Sequence, residues 1–405
     1  MTGTPPPGTS APGQAAPLLG RRLYFVGIGG SGMSAYANIA RAWGAEVRGW
    51  DVGETIFMET LAGVDVDLGG EPIPPEGWET VVSTAHAHRV PGTPRADFLA
   101  ELVALRPTIV VTGAHGKTTT AGMLAYALRE TGDDPAWIIG GVVPQLGGNA
   151  AAGDGWLVVE GDESDRSVFA LQPRIAVVTN VELDHHATYA SEAELAAALE
   201  AWLAGVPAVV RSWELDPVPF ELALPGAHNR QNAAGALAAL ELAGANAGLA
   251  AAAIRSFRGA DRRFQLVGEV GGVHVYDDYG HNPTELRATL RTARERTRRR
   301  LVAIYQPHVY ERTRQLHHEL GLALGLADVA IVTEVTGARD VPRDGTSGRW
   351  VLAAVPDGVR RLWAPTLADA AALALHVVRP GDVVVTLGVG EPWRIARAIV
   401  EGLAA

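Results

Sequence analysis

A buried strand that empties into a glycine loop carrying a lysine, with a helix straight after it, leaves a chain few choices of fold. Here Thr108-Ile109-Val110-Val111-Thr112 reads as the strand. Gly113-Ala114-His115-Gly116 reads as the loop, and the helix runs from Lys117 to about Glu130. A phosphate-binding loop needs that order: its amides cradle phosphate oxygens, Lys117 reaches the β and γ oxygens, and Thr118 becomes a ligand of Mg²⁺. Two residues separate the glycines instead of the usual four, which makes a narrower signature. Lys117 is also the only lysine among 34 basic residues; all the others are arginine. A compact ammonium suits a single phosphate oxygen in a tight loop, where a planar guanidinium does not.

A second glycine loop lies upstream. Leu23-Tyr24-Phe25-Val26 runs into Gly27-Ile28-Gly29-Gly30-Ser31-Gly32, then a helix is predicted over 31–43 and a strand over 46–50 ending at Asp51. This is the opening of a Rossmann-like domain, with glycines that admit a diphosphate and a helix N-terminus that supplies donors. By itself the spacing fits nucleotide cofactors, UDP-sugars or a plain tight turn. In the last third, strands are predicted over 273–276, 300–304, 329–333 and 382–386. Helices are predicted over 284–296, 312–323, 366–377 and 391–403. That alternation favours a parallel, doubly wound sheet. The fold class expected is α/β with three domains. They are a Rossmann-like N-terminal domain (21–104), a central P-loop ATPase-like domain (105–267) and a C-terminal Rossmann-like α/β domain (268–405). Residues 1–20, rich in Pro, Gly, Ser and Thr, are expected to be a disordered tail.

Polar residues gather where strands end. Glu160, Asp162, Glu163 and Asp165 follow an apolar run, a natural place for Mg²⁺ or else a solvated acidic turn. Asp184 and His185 follow the strand predicted over 175–179, where Asp184 could equally cap a helix. His228, Asn229 and Asn232 open an Ala-rich helix, as caps or as contacts to a base or ribose. Arg262 and Arg263 are placed to clamp a phosphate during domain closure, or form a plain surface pair. The loops Asp277-Asp278-Tyr279-Gly280-His281 and Gln306-Pro307-His308-Val309-Tyr310 both follow strands, which makes a binding face the better reading.

Composition narrows the function. The net charge is −11, which argues against a general nucleic-acid binder. With no cysteine, disulfides and thiolate metal sites are excluded. Gly, Pro or charge interrupts every apolar stretch well before 18 residues, and no secretory signal pattern is present, so a cytoplasmic protein without membrane association is expected.

Taken together, VGIGGSGMS, VTGAHGKTTT, EGDESD, NVELDHH, PGAHNRQNAAGA, RRF, DDYGHNPTE, YQPHVYERTR and GDVVVTLGVG, in this order from about Arg21 to Leu403, resemble the Mur ligases, and most closely their alanine-adding branch. The resemblance implies ligation of L-alanine to UDP-N-acetylmuramate, with ATP and Mg²⁺, through an acyl phosphate. It implies catalytic roles for Lys117, Glu160, His185 and Arg263, and metal ligands Thr118, Glu160 and His185. ATP contacts would be Gly113, His115, Gly116, Lys117, Thr118, Thr119, His228, Asn229, Asn232, Asp278 and His281. UDP-substrate contacts would be Gly27, Gly29, Gly30, Ser31, Gly32, Asp51 and Ser83. The amino acid would meet His308, Tyr310 and Arg312, and the protein would be a monomer or homodimer. Several relatives use a carbamylated lysine near the metal; the single lysine here already belongs to the phosphate loop, which fits the alanine-adding branch.

Three departures from the family pattern stand out. Val309 occupies the place of an arginine expected to hold the amino-acid carboxylate. His281-Asn282-Pro283 replaces His-His-Pro. The stretches 63–104 and 189–224 are short for the family. A related amide ligase with a different acceptor therefore stays open beside L-alanine. A nicotinamide oxidoreductase would need no γ-phosphate site, and a non-catalytic UDP-sugar or ATP binder would have no need of Lys117, Glu160 and His185 together.

Overall fold

A computed structural model of the protein describes residues 16–183, 188–337 and 345–404. The chain forms two compact units, Met1–Leu224 with Asn229–Ala260, and Pro225–His228 with Asp261–Ala405.

The first unit contains two sheets. Strands β1 (Arg22–Val26), β2 (Glu46–Asp51), β3 (Asp65–Leu68), β4 (Glu79–Val82) and β5 (Thr93–Pro94) pair in the order β3-β2-β1-β4-β5. All are parallel. Helix α1 (Ser31–Ala42) follows β1, and α2 (Arg95–Ala104) follows β5. The chain leaves β1 toward one side and returns to its other side, so the loop after β1 lies at the switch point where α/β sheets bind ligands.

The second sheet comprises β6 (Thr108–Thr112), β7 (Ala136–Val143), β8 (Gly148–Ala151), β9 (Leu157–Glu160), β10 (Ile175–Val178) and β11 (Ala208–Arg211), in the order β11-β10-β6-β9-β7-β8. Within this sheet the β7–β8 pair is antiparallel and the other described pairs are parallel. All five residues of β6 are buried, as expected of a strand covered on both faces. Helix α3 (Lys117–Glu130) follows it; α4 (Glu192–Leu203), α5 (Ala227–Leu242) and α6 (Ala247–Ser256) complete the set. α3 opens with three successive threonines, poor helix formers, and all three are buried. Tertiary packing overrides propensity there.

One apolar cluster runs under both sheets, joining Phe25, Ile39, Phe98 and Leu102 of the first to Val110, Ile138 and Val159 of the second. It crosses the expected boundary at 104/105, so the two sheets share a core.

The second unit has one sheet. Strands β12 (Gln265–Val270), β13 (Val273–Asp278), β14 (Leu301–Tyr305), β15 (Val329–Thr333), β16 (Arg360–Ala364) and β17 (Val383–Leu387) pair in the order β12-β13-β17-β14-β15-β16. β12 and β13 form an antiparallel hairpin, and the other pairs are parallel. The helices are α7 (Pro283–Glu295), α8 (Tyr310–Leu324), α9 (Gly348–Ala353), α10 (Leu367–Val377) and α11 (Pro392–Ala404). α7 has a full start signal: Asn282 accepts from the Glu285 amide at 2.9 Å and Pro283 takes the first position. The strands predicted at 273, 300, 329 and 382 are β13, β14, β15 and β17. Sequence reasoning did not find β12, α9 and β16.

Phe98 is fully buried and meets Phe25 edge-on at 5.4 Å. Phe98→Ala should cost about 3–5 kcal/mol of unfolding free energy in the first unit. Urea denaturation of both proteins checks this, and an unchanged midpoint would show that the shared core does not depend on this ring.

Candidate active site

The loop at the end of β6 sits between the ends of β9 and β10, its neighbours in the sheet. Gly116 has φ +83°, and a Cβ there would come within 2.6 Å of Asn232 Oδ1. Gly113 has φ +126°, with the Asn180 carbonyl 2.7 Å from where its Cβ would be. Both positions therefore need glycine for conformation and for space. Lys117 Nζ donates to the Gly113 carbonyl at 2.6 Å and to Glu163 at 2.9 and 3.2 Å. Glu163 is 1% exposed. Burial alone works against the charge on Lys117, but Glu163, Asp162 and Glu160 outweigh it and raise its pKa above the ordinary value. Burial pushes the Glu163 carboxyl up, against the pull of Lys117.

Thr118 Oγ1 donates to Glu160 Oε1 at 3.1 Å, and the Gly140 amide donates to Glu160 Oε2 at 2.7 Å. Two hard oxygens thus lie side by side at the head of α3, a donor pair suited to Mg²⁺, which keeps several waters and substrate oxygens as its other ligands. His185, the remaining expected ligand, lies outside the described residues, as does Asp184. Among the described residues no group of three or more His, Cys, Asp or Glu side chains could hold a metal.

The acidic turn does not converge on one ion, contrary to the simplest reading of EGDESD. Glu160 meets Thr118, Glu163 meets Lys117, and Asp165 Oδ2 accepts from Arg95 Nη2 at 2.8 Å. Asp162 accepts from the Ser164 amide at 2.9 Å. The turn is pinned from outside by Tyr189, whose hydroxyl donates to the Glu163 carbonyl at 2.6 Å, and by Thr188, which donates to the Ser164 carbonyl at 2.6 Å.

Asn180, which follows β10, fixes the histidine of the loop. Its Oδ1 accepts from the His115 amide at 3.2 Å, so its Nδ2 is the atom 2.8 Å from His115 Nδ1. An amide nitrogen donates, so Nδ1 accepts and the ring proton sits on Nε2, 3.0 Å from Glu182 Oε2. Neither Asn180 nor Glu182 was singled out from sequence; the available signal was their position just past a strand end. Thr119 is buried in the first turn of α3. Asn229 and Asn232 are buried on α5 and joined by a 3.3 Å hydrogen bond, and Asn232 packs on the phosphate loop rather than capping its helix.

At the first sheet, Gly27 has φ +84° and faces Ser83 at the end of β4. The Ser83 hydroxyl is buried and has no hydrogen-bond partner among the described residues. Asp51 is committed to the loop itself: Oδ2 accepts from the Gly29 amide at 2.8 Å and Oδ1 from the Val52 amide at 2.7 Å. Thr55 donates to the Gly29 carbonyl at 2.7 Å. Gly30 precedes α1, whose first turn, with Ser31 and Gly32, has no acidic residue.

In the second unit the loops after β13, β14 and β17 lie along one sheet edge, because those strands are adjacent and parallel. Arg262, at φ +60°, acts as an internal anchor: it donates to Asp277 at 2.8 Å and to the carbonyls of Gly388, Val389 and Gly390 at 2.6, 2.9 and 3.1 Å. Arg263 has a looser ion pair, 3.8 Å to Glu285, and lies over the Tyr279 ring. Asp278 Oδ2 accepts from the Phe264 amide at 2.8 Å; Oδ1 accepts from Gly280 at 2.8 Å and Thr289 at 3.0 Å. Burial pushes the Asp278 carboxyl up to about 6. The His281 amide donates to Glu285 at 2.9 Å, and Tyr305 donates to the His281 carbonyl at 3.1 Å, tying two of the loops together. His228 lies against Gly226 in the same unit. His308 bridges to Thr336, while Tyr310 and Arg312 fall in the first turn of α8. Val309 between them has φ +70°, a strained conformation for a β-branched residue.

Three family models match the chain: the Mur ligase family catalytic domain over residues 22–106, the middle domain over 111–210 and the glutamate ligase domain over 262–390. The chain is 34% identical to UDP-N-acetylmuramate–L-alanine ligase of Pelotomaculum thermopropionicum, covering 95% of this chain and 98% of that one. It is 36% identical to the enzyme of the same name from Rubrobacter xylanophilus, covering 95% and 99%. The first alignment spans 452 positions against a chain of 405, so at least 47 of them have no counterpart here. Among solved structures, UDP-N-acetylmuramate–alanine ligase of Thermotoga maritima superposes with a TM-score of 0.75 at 26% identity, covering 94% of this chain and 98% of that one. A murein peptide ligase of Psychrobacter arcticus shares the fold, with a TM-score of 0.65 at 23% identity over 95% and 99% of the two chains.

The shift at Asp278 sets a direction for pH dependence. Its folded pKa of about 6 exceeds the ordinary 3.8, so between those values the folded unit holds more protons than the unfolded chain. Stability from this group is therefore present at low pH and lost as pH rises across that window. Asp278→Asn should flatten the difference between unfolding midpoints at pH 4 and pH 7, measured on the second unit's transition. An identical pH slope in the variant would place the titration elsewhere.

Proposed function

The chain belongs to the Mur ligase family, and we propose that within it this protein joins L-alanine to UDP-N-acetylmuramate, converting ATP to ADP and phosphate in the cytoplasmic synthesis of peptidoglycan precursors. The observation that carries the reading is the half-buried Lys117, paired with Glu163 at the mouth of a loop that only glycine can form, beside the Thr118–Glu160 oxygen pair.

A carboxylate is a poor acyl donor, so the sugar acid must first be activated. A carboxylate oxygen attacks the γ-phosphorus, the bond to ADP breaks, and an acyl phosphate forms. The amine of alanine then adds to the acyl carbon, and the tetrahedral intermediate collapses with loss of phosphate and a proton. Lys117 faces the charge that builds on the transferring phosphoryl group, where a preorganised cation has most effect. Mg²⁺ held by Thr118 and Glu160, with His185 as a further ligand, would offset the same charge. Asn180, through its bonds to the His115 amide and Nδ1, fixes the orientation of the ring at the loop. Arg263 is assigned a catalytic role, Asp278 and His281 contacts to ATP, and His308, Tyr310 and Arg312 contacts to the acceptor.

A different acceptor is the second reading, because Val309, at φ +70°, stands where the family pattern has arginine and because the stretches 63–104 and 189–224 are short for the family. Phosphate release with ATP, Mg²⁺ and UDP-N-acetylmuramate against a panel of amino acids and short peptides separates the two. Release that depends on L-alanine supports the main reading. Release only with another acceptor keeps the class and moves the substrate, and silence across the panel removes both. Lys117→Ala should lower release on the order of a hundredfold or more while leaving UDP-N-acetylmuramate binding intact; equal loss of both would mean the loop has another task.

A further inference from the structure

We propose that Arg95 grips the diphosphate of the nucleotide-sugar substrate, with Asp165 as its positioning residue. The inference rests on the ligase reading and adds Arg95 and Tyr36, which lie outside the motifs quoted for the family.

Arg95 is the first residue of α2, at the edge of the first sheet. One side of its guanidinium is fixed: Nη2 donates to Asp165 at 2.8 Å. Asp165 is itself held, because its other oxygen accepts from the Ser167 amide at 3.0 Å. The opposite side of the guanidinium turns to the first turn of α1, where Nη1 lies 3.7 Å from the point a Gly32 Cβ would occupy. Apart from the bond to Asp165, the Arg95 donors have no hydrogen-bond partner among the described residues.

Tyr36 completes the group. It is 5% exposed, its hydroxyl is also 3.7 Å from that point, and it makes no hydrogen bond to the described residues. Burial pushes its pKa up to about 12, so it stays protonated and can donate.

The electrostatics then ask for an anion. The N-terminal end of α1 carries partial positive charge and has no acidic residue in its first turn. A guanidinium beside it adds a full charge, which Asp165 pairs with directly and on which Asp162 also acts. Two positive ends facing each other across a glycine form a favourable arrangement when phosphate oxygens lie between them. Asn149 donates to the Ser31 carbonyl at 3.2 Å and keeps the helix start in place.

Binding of UDP, UMP and ATP to the full chain, followed by calorimetry, tests this. The wild type should prefer UDP to UMP. Arg95→Gln, which keeps most of the side-chain volume, should weaken UDP about tenfold and largely remove that preference, with ATP binding unchanged. Asp165→Asn should show a smaller loss in the same direction. Arg95→Gln with the UDP preference intact overturns the inference, and so does equal weakening of UDP, UMP and ATP, which would mark a structural role. A wild type that ignores UDP would instead remove the substrate assignment beneath it.

Discussion

A buried ammonium is stable only when oxygen surrounds it, and Lys117 finds that oxygen in its own loop and in one carboxylate more than forty residues away. The Gly113 carbonyl fixes Nζ close to the backbone, and Glu163 supplies the charge. Each contact has its own requirement. The carbonyl can turn inward only because Gly113 adopts a φ closed to other residues. Glu163 can be buried only because its turn is tied down by Tyr189 and Thr188. The shared core beneath both sheets then matters for chemistry as well as stability. It places the end of β9, which begins that turn, beside the end of β6, which begins the loop.

Seen this way, the acidic turn is a junction. Glu160 faces the threonine of the loop, Glu163 its lysine, and Asp165 an arginine on the first sheet. Six residues meet Lys117 and Thr118 at one end and Arg95 of the first sheet at the other. A turn that served only as a cation site would point its carboxylates to one place. This one spreads them, and the spread ties the head of α3 to α2 of the first sheet within the first unit. Loss of any one carboxylate should therefore affect one end of the turn more than the other.

Much of this was legible in the chain. The strand, glycine loop and lysine lie within fifteen residues, so local pattern sufficed for β6 and α3. In the second unit the apolar runs separated by polar strand ends marked β13, β14, β15 and β17 at nearly their observed limits. The hairpin partner β12 was missed, although Gly271-Gly272, both with positive φ, is a strong two-residue turn signal. Contacts between distant positions were not legible. The choice of Glu163 rather than Glu160 by Lys117, and the link from Asp165 to Arg95 seventy residues away, depend on which strand ends are neighbours. Composition and spacing do not record that. Arg262 and Arg263 look alike in sequence, yet one is spent on three backbone carbonyls and a carboxylate while the other has a loose ion pair over a tyrosine ring.

Val309 adds the last constraint. A β-branched residue at φ +70° carries about 1–3 kcal/mol of strain, and the surrounding bonds hold it there. Its amide donates to the Thr336 carbonyl at 2.9 Å, and its own carbonyl accepts from the Thr313 amide and hydroxyl, both at 3.0 Å. The backbone at this point is thus dictated by the start of α8 and by β15's outgoing loop, not by the side chain. Replacing the expected arginine therefore removes a cation without releasing the backbone that presented it. The bonds among Lys117, Glu163, Thr118 and Glu160, to which the activating step is assigned in the proposed function, involve none of these groups. Under the proposed assignment of His308, Tyr310 and Arg312 to the acceptor, a change of acceptor would arise at this loop of the second unit.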